Sequence, residues 1–399
     1  MTIHALITAE TPVQLWGLSS RQRLERILKK MNINSWLDHP SAAHAGDSIL
    51  LLRGDYLYDE RLIRNLTQKP GTILQIATEG GRKAVAAHVK EQDALRLRDL
   101  LDGNTGGEIP LSLSFETPQT LASTYHMTLR KVDSPYLLPI TEENRGKLEK
   151  RLFSSSYKGV TDLVTKWVWP WPAQWVTRFC VRSGITPNQV TSLSLALVFI
   201  AGLLFLKGLF APGLVAAWAM TFLDTVDGKL ARVTVNSSNF GHIFDHAIDV
   251  ISPPLWYLAW GLGLESWQPG IPLSLKTTLW LIFIGYIAGR LVEVIFKKYL
   301  EASGVFCWRP IDSYFRLITG RRNPNVILLT LGLLGGRADL GLFAVGLWTM
   351  VSSIFLVGRL IMGFRERQNT GSLRSWFLDI DPEAQNPTLA QRCFSNSRS

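Results

Sequence analysis

The stretch Asp224-Thr-Val-Asp227-Gly228-Lys-Leu-Ala231-Arg232, followed after eight residues by Gly241-His-Ile-Phe-Asp245-His-Ala-Ile-Asp249, sets four aspartates in an otherwise apolar region. Residues three and four apart share one face of an α-helix. Asp224, Asp227, Gly228 and Ala231 therefore line one helix face, and Gly241, Asp245 and Asp249 line one face of the next. Two such helices side by side aim four carboxylates into one small volume, where like charges repel unless a cation lies between them. A charge at the centre of a membrane helix costs about 2.5–3.5 kcal/mol, so the four must face a hydrated or metal-filled cavity rather than lipid. Carboxylate oxygens suit Mg2+ or Mn2+, and two such ions clamp a diphosphate. Gly228 and Ala231 leave room for a ligand against the helix backbone, and Arg232 can pair with a phosphate oxygen. His242 and His246 occupy variable positions of the pattern and read as packing or solvation.

Outward from this stretch the chain is apolar in long runs. They predict about six membrane helices: residues 190–210, 213–233, 240–263, 277–299, 326–334 extended by its flanks, and 340–364. The fifth is short, and Pro253-Pro254 are expected to kink the third. Basic residues crowd the connection between the fourth and fifth (Lys297, Lys298, Arg309, Arg316, Arg321, Arg322), whereas the opposite ends offer Lys207, Lys276 and Arg337. Positive loops stay inside, so both termini and the aspartates are expected on the cytoplasmic side of the cell (inner) membrane. The 399-residue chain has a net charge of +10, a pI near 9.6 and a mean hydropathy of +0.12. No nucleic-acid motif accompanies that charge, which reads as loops facing anionic lipid. Cys180, Cys307 and Cys393 show no metal spacing and read as free thiols. The first residues lack the basic and apolar segments of a signal peptide.

Residues 1–150 have ordinary globular composition. Strand-like runs at 4–9, 48–53 and 72–77 alternate with helix-like runs at 21–31, 62–66 and 94–101, which predicts an α/β domain with a largely parallel sheet. Residues 142–152 read as a linker helix. Trp167, Trp169, Trp171 and Trp175, mixed with Lys166, Arg178 and Arg182, predict helices lying in the membrane interface, broken at Pro170 and Pro172. The expected organisation is thus a soluble α/β domain (1–150), juxtamembrane helices (151–189), an all-α polytopic membrane domain (190–365) and a polar tail (366–399), expected to be disordered at its end.

The pattern D-x2-D-G-x2-A-R-x8-G-x3-D-x3-D resembles the signature of the CDP-alcohol phosphotransferase family, and Thr186-Pro187-Asn188-Gln189-Val190-Thr191 is similar to the segment before that family's first membrane helix. The resemblance spans roughly residues 155–365. It implies a phospholipid-synthesis enzyme that moves a phosphatidyl-type group from a CDP-lipid, such as CDP-diacylglycerol, to an alcohol acceptor with release of CMP. It implies two Mg2+ or Mn2+ ions on Asp224, Asp227 and Asp245, with Asp249 a further ligand, the general base, or both, and commonly a homodimer. Asn188, Gly228, Ala231, Arg232 and Gly241 would meet the CDP-lipid. Arg290, Arg321, Arg322 and Arg359 are candidates for a phosphorylated acceptor, and Arg321-Arg322 resembles an inositol-phosphate-binding region. Residues 1–150 resemble a sugar-phosphate nucleotidyltransferase domain, in which Gly54-Asp55 matches a metal-holding strand end. The glycine-rich loop after the first strand is replaced by Thr8-Ala9-Glu10-Thr11-Pro12-Val13-Gln14-Leu15-Trp16-Gly17, which implies a degenerate, non-catalytic copy. Glycerol phosphate or serine are alternative acceptors. A metal-ion or solute transporter is the competing class, because acidic membrane residues also mark ion paths.

Overall fold

The computed structural model describes residues 2–103, 112–236, 239–268, 270–300, 304–381 and 386–395, apart from the side chains of 239, 240, 242, 244 and 245. The N-terminal half contains β1 (Ile3–Thr8), α1 (Ser20–Lys30), β2 (Ser35–Trp36), β3 (Ser48–Arg53), β4 (Tyr56–Tyr58), α2 (Glu60–Thr67), β5 (Thr72–Thr78), β6 (Gly81–Lys90), α3 (Glu91–Leu101) and β7 (Ser114–Glu116). It continues through α4 (Pro118–Leu121), β8 (Tyr125–His126), β9 (Lys131–Val132), β10 (Leu137–Pro139) and α5 (Arg145–Ser155).

Six strands form one sheet in the order β2-β1-β3-β6-β5-β7. The sheet is mixed, which corrects the expectation of a largely parallel one: β6 runs antiparallel to both β3 and β5. A two-residue connection, Glu79-Gly80, turns β5 into β6, and Gly81 takes a φ of 115° that suits glycine. The strand escapes sequence reading because its buried residues include Ala86 and Ala87, small side chains of weak strand propensity. In the sheet that smallness lets β6 sit centrally under α3.

The remaining helices are α6 (Pro170–Arg182), α7 (Pro187–Leu206), α8 (Phe210–Val233), α9 (Asn239–Leu262), α10 (Leu275–Leu300), α11 (Pro310–Ile318), α12 (Arg322–Leu334), α13 (Ala338–Thr370) and α14 (Leu389–Phe394). Among them α7, α10 and α13 are long and apolar enough to cross a membrane. The 24-residue α8 and α9 interrupt their apolar runs with aspartates. The 13 residues of α12 reach about 20 Å at 1.5 Å per residue, short of a ~30 Å hydrocarbon core. The α9 helix continues through Pro253 and Pro254. Large apolar side chains such as Phe199, Val215, Ile251, Trp280, Ile287 and Ile354 stay exposed around the helices, as a lipid-facing surface requires.

Before α6, residues Val164–Val168 form a π-helical turn, and the helix axis restarts with Pro170 at its first position. Trp171, Trp175 and Phe179, four apart, are exposed along one face of α6, whereas Trp169 packs against Trp218 and Phe222 of α8. The two halves share cores. Trp16 stacks on Phe153 within a cluster that includes Val226 and Val233 of α8. Val235, just past α8, belongs to the same buried cluster as Leu24 and Ile27 of α1. The polar tail is also tied down: Phe377 stacks on Tyr125, and Phe394 packs against Tyr314 and Trp376. All three cysteines are free thiols.

Candidate active site

A cavity of about 360 Å³ lies at the junction of α8, α9, α12 and the segment before α6. Both halves of the aspartate pattern are helical where the spacing placed them. Thr186 caps α7 reciprocally with Gln189, and Pro187 takes the first helical position. That cap sets the register of α7 so that Thr191, one turn on, donates its hydroxyl to Asp227 Oδ2 at 2.7 Å. The two quoted motifs therefore touch.

Asp224 and Asp249, 25 positions apart, meet at a single guanidinium. Arg322 donates through Nη2 to Asp224 Oδ2 at 2.6 Å and through Nη1 to Asp249 Oδ1. This fork between two carboxylates is the strong, geometrically specific form of an arginine pair. Asp227 is buried, and its Oδ1 has no hydrogen-bond donor among the described residues. An orphaned buried carboxylate oxygen is costly unless a cation satisfies it, so the donor set fits a divalent ion. Among the described residues no three His, Cys, Asp or Glu side chains close on one point. The side chain of Asp245, the fourth expected ligand, lies outside the described residues, as does that of His242.

Gly228, Arg232, Arg290, Arg321 and Arg322 line the cavity, as does His246. Gly228 lies under Arg232: a Cβ there would come within 2.9 Å of the Arg232 Nη2. Ala231 is half-buried in α8 outside the lining, and its carbonyl accepts from the backbone N–H of Asn236. Gly241 is half-buried near the start of α9. Asn188 is exposed on the first turn of α7, away from the cavity. Arg359 is not brought there either. Asp312 of α11 holds it in two hydrogen bonds of 2.6 and 2.8 Å, and its guanidinium lies 4.2 Å from the Trp308 ring centroid. Arg321 pairs with Glu293, and Arg290 donates to the Tyr286 hydroxyl at 3.0 Å.

The structure adds residues that no motif announced. Asp162 caps the π-helical turn through the N–H groups of Val164 and Thr165, and it accepts from Asn323 Nδ2 at 2.9 Å. It thereby ties the interfacial segment to the first turn of α12, next to Arg322. Arg130, Lys158 and Arg316 also line the cavity. Burial pushes the Arg316 guanidinium down to about 10, and its Nη1 has no hydrogen-bond acceptor among the described residues. The described lining carries eight Lys or Arg side chains against four Asp or Glu. That excess favours anionic ligands. The only advance signal was the basic loop between α10 and α12.

In the N-terminal half, Asp55 accepts two hydrogen bonds from Arg53, at 2.9 and 2.6 Å. Its carboxylate is thus already neutralised. The loop that replaces the glycine-rich segment is filled by Trp16, whose indole donates to the Glu149 carbonyl at 2.9 Å. Gly54 is needed for a different reason from metal binding. A Cβ there would lie 3.0 Å from Ile7 Cγ2 and 3.2 Å from the Thr8 carbonyl.

These observations define a helical domain with a lipid-facing surface and an acidic cluster set in a basic cavity. Residues 184–320 match the CDP-alcohol phosphatidyltransferase family. It is 34% identical over 94 residues to a phosphatidylinositol phosphate synthase of Mycobacterium marinum, covering 22% of this chain and 40% of that protein. It is 35% identical over 100 residues to an archaetidylinositol phosphate synthase of Pyrococcus horikoshii, covering 24% and 52%. It is 26% identical over 211 residues to human cholinephosphotransferase 1, covering 50% and 47%. The chain thus spans about half or less of each of these relatives' length.

Proposed function

We propose that the chain is an integral membrane transferase that moves a phosphatidyl-type group from a CDP-lipid, such as CDP-diacylglycerol, to an alcohol acceptor, releasing CMP. The observation that carries this reading is the Arg322 fork, which draws Asp224 and Asp249 together in a cavity with an excess of positive charge. Asp224, Asp227, Asp245 and Asp249 would hold Mg2+ or Mn2+, which neutralises the charge of a diphosphate when bound. Gly228 leaves the helix surface open to the cytidine diphosphate, and Arg232 pairs with its phosphate. Asp249 accepts the proton of the acceptor hydroxyl as its oxygen attacks the phosphorus that carries the lipid; the bond from that phosphorus to the CMP oxygen breaks. Six helices cross the cell membrane, with α8, α9 and α12 joining α7, α10 and α13, and the cavity opens to the cytoplasm.

The acceptor we favour is inositol phosphate. Arg290, Arg316 and Arg321 stand on the cytoplasmic flank of the aspartates, and an acceptor phosphate would complete the unpaired face of Arg316. Two relatives named as inositol-phosphate lipid synthases support this choice. CMP release by the purified chain from CDP-diacylglycerol, measured with inositol phosphate, glycerol phosphate and serine in parallel, tests it. Turnover with inositol phosphate alone is expected. Turnover only with another acceptor moves the substrate assignment, and no CMP with any acceptor, together with metal flux into liposomes, replaces the transferase by a transporter.

A further inference from the structure

A second cavity, of about 460 Å³, lies between α5, the segment before α6, and α6 itself. Its lining includes Lys131, Lys150, Lys158 and Lys166 and, among the described residues, no aspartate or glutamate. Lys131 is compensated, since Asp133 accepts from its ammonium at 2.7 Å and Ser155 accepts at 2.9 Å. Lys166 donates only to the neutral Gly159 carbonyl at 2.9 Å. Lys150 and Lys158 have no hydrogen-bond or ion-pair partner among the described residues. Three ammonium groups without a carboxylate partner among the described residues thus share one cleft, with Lys166 lying over the Phe394 ring. Desolvation and its neighbours Arg232 and Arg130 hold the Lys158 ammonium below the usual lysine range, and burial brings Lys166 down to about 8. Crowded cations of this kind are relieved by a bound anion.

The outer wall locates the cleft. Trp171 and Gln174 of α6 form its rim, on the helix whose exposed face carries Trp171, Trp175 and Phe179. Such a face lies at headgroup depth.

We propose that this cleft is a second anion site, distinct from the aspartate cavity, that binds the phosphate of an acidic membrane lipid between Lys150, Lys158 and Lys166. Lys158 lines both cavities, so an occupied cleft would fix one wall of the aspartate site. The proposal rests on the membrane position of α6 and not on the transferase reading.

Native mass spectrometry of the full chain in detergent tests it without any turnover. The probes are dioleoylphosphatidic acid, dioleoylphosphatidylcholine and inorganic phosphate, each added alone. Tight retention of one phosphatidic acid is expected, with much weaker retention of the zwitterionic lipid. The Lys150→Gln/Lys158→Gln variant is expected to bind the acidic lipid roughly thirtyfold more weakly, from about 1 kcal/mol per lysine and tenfold per 1.4 kcal/mol. Lys150→Gln alone, at an exposed position, gives about a fivefold loss if the double variant does not fold. Retention of inorganic phosphate without the lipid would reassign the site to a soluble phosphate and overturn the lipid source. Unchanged lipid retention in the variants, or equal retention of the two lipids, overturns the site.

Discussion

At the residue scale, the energetics of the candidate site turn on Arg322. Replacing it by Gln leaves Asp224 and Asp249 facing each other without their shared guanidinium. The pair is half-buried, so Arg322→Gln is expected to cost less than the roughly 3–5 kcal/mol of a fully buried pair, yet to lower thermal stability in metal-free detergent solution, with added Mg2+ restoring part of it. An unchanged melting temperature would show the pair to be incidental. Asp249→Asn is expected to reduce CMP release by 100-fold or more, the scale of a lost general base, while CDP-lipid binding persists. Turnover within a few-fold of the parent would remove the base assignment. Lys166 gives a pH signature. Burial brings its ammonium to about 8 from an ordinary 10.5, so the folded state disfavours the charged form. Between those two values the unfolded chain holds more protons than the folded one, and stability rises with pH. Lys166→Met is therefore expected to stabilise the chain by up to about 2 kcal/mol below pH 8, less than the full shift because the bond to Gly159 is lost. The gain should vanish above pH 10.5; a difference independent of pH in thermal-shift measurements would contradict this.

At the element scale, the end of α8 is where the two halves grip each other. Val235 adopts a φ of 50°, a left-handed conformation that costs a β-branched residue about 1–2 kcal/mol. Its side chain is 4% exposed, in the core of the N-terminal half, and Arg26 of α1 donates to the Thr234 carbonyl at 2.7 Å. Val235→Ala would keep the strain and lose packing, at about 1–2 kcal/mol. Val235→Gly would lose the packing but release the strain. Glycine is therefore expected to melt higher than alanine at this position, the reverse of the usual order within a helix. The quoted stretch made α8 and α9 legible, because a three-and-four spacing is local. The strand β6 and the anchoring of Val235 were not legible: an alanine-containing strand entered through a two-residue turn and a strained cap carry almost no periodic signal.

At the scale of the whole molecule, the N-terminal half and the tail both pack into cores shared with the helical half. The tail, read from sequence as polar, buries Phe377 and Phe394 against Tyr125 and Tyr314, and the end expected to be disordered, 396–399, lies outside the described residues. Phe377→Ala is expected to cost about 3–5 kcal/mol, the scale of a buried aromatic truncation, although it lies far from the aspartates. A shift below 1 kcal/mol would show the tail to be a loose appendage.

The sequence by itself determined the aspartate helices and the break before Pro170. Each depends on residues a few positions apart, whose geometry the backbone period fixes. Only the tertiary structure decided which cation stands between Asp224 and Asp249, 98 and 73 residues from Arg322. It alone paired Asp162 with Asn323 across 161 residues and set Arg359 aside on Asp312. Several arginines of the same basic region are equivalent in composition. Packing of α12 against α8, and of α11 beneath α13, selects which one meets the aspartates, and no local pattern records that choice.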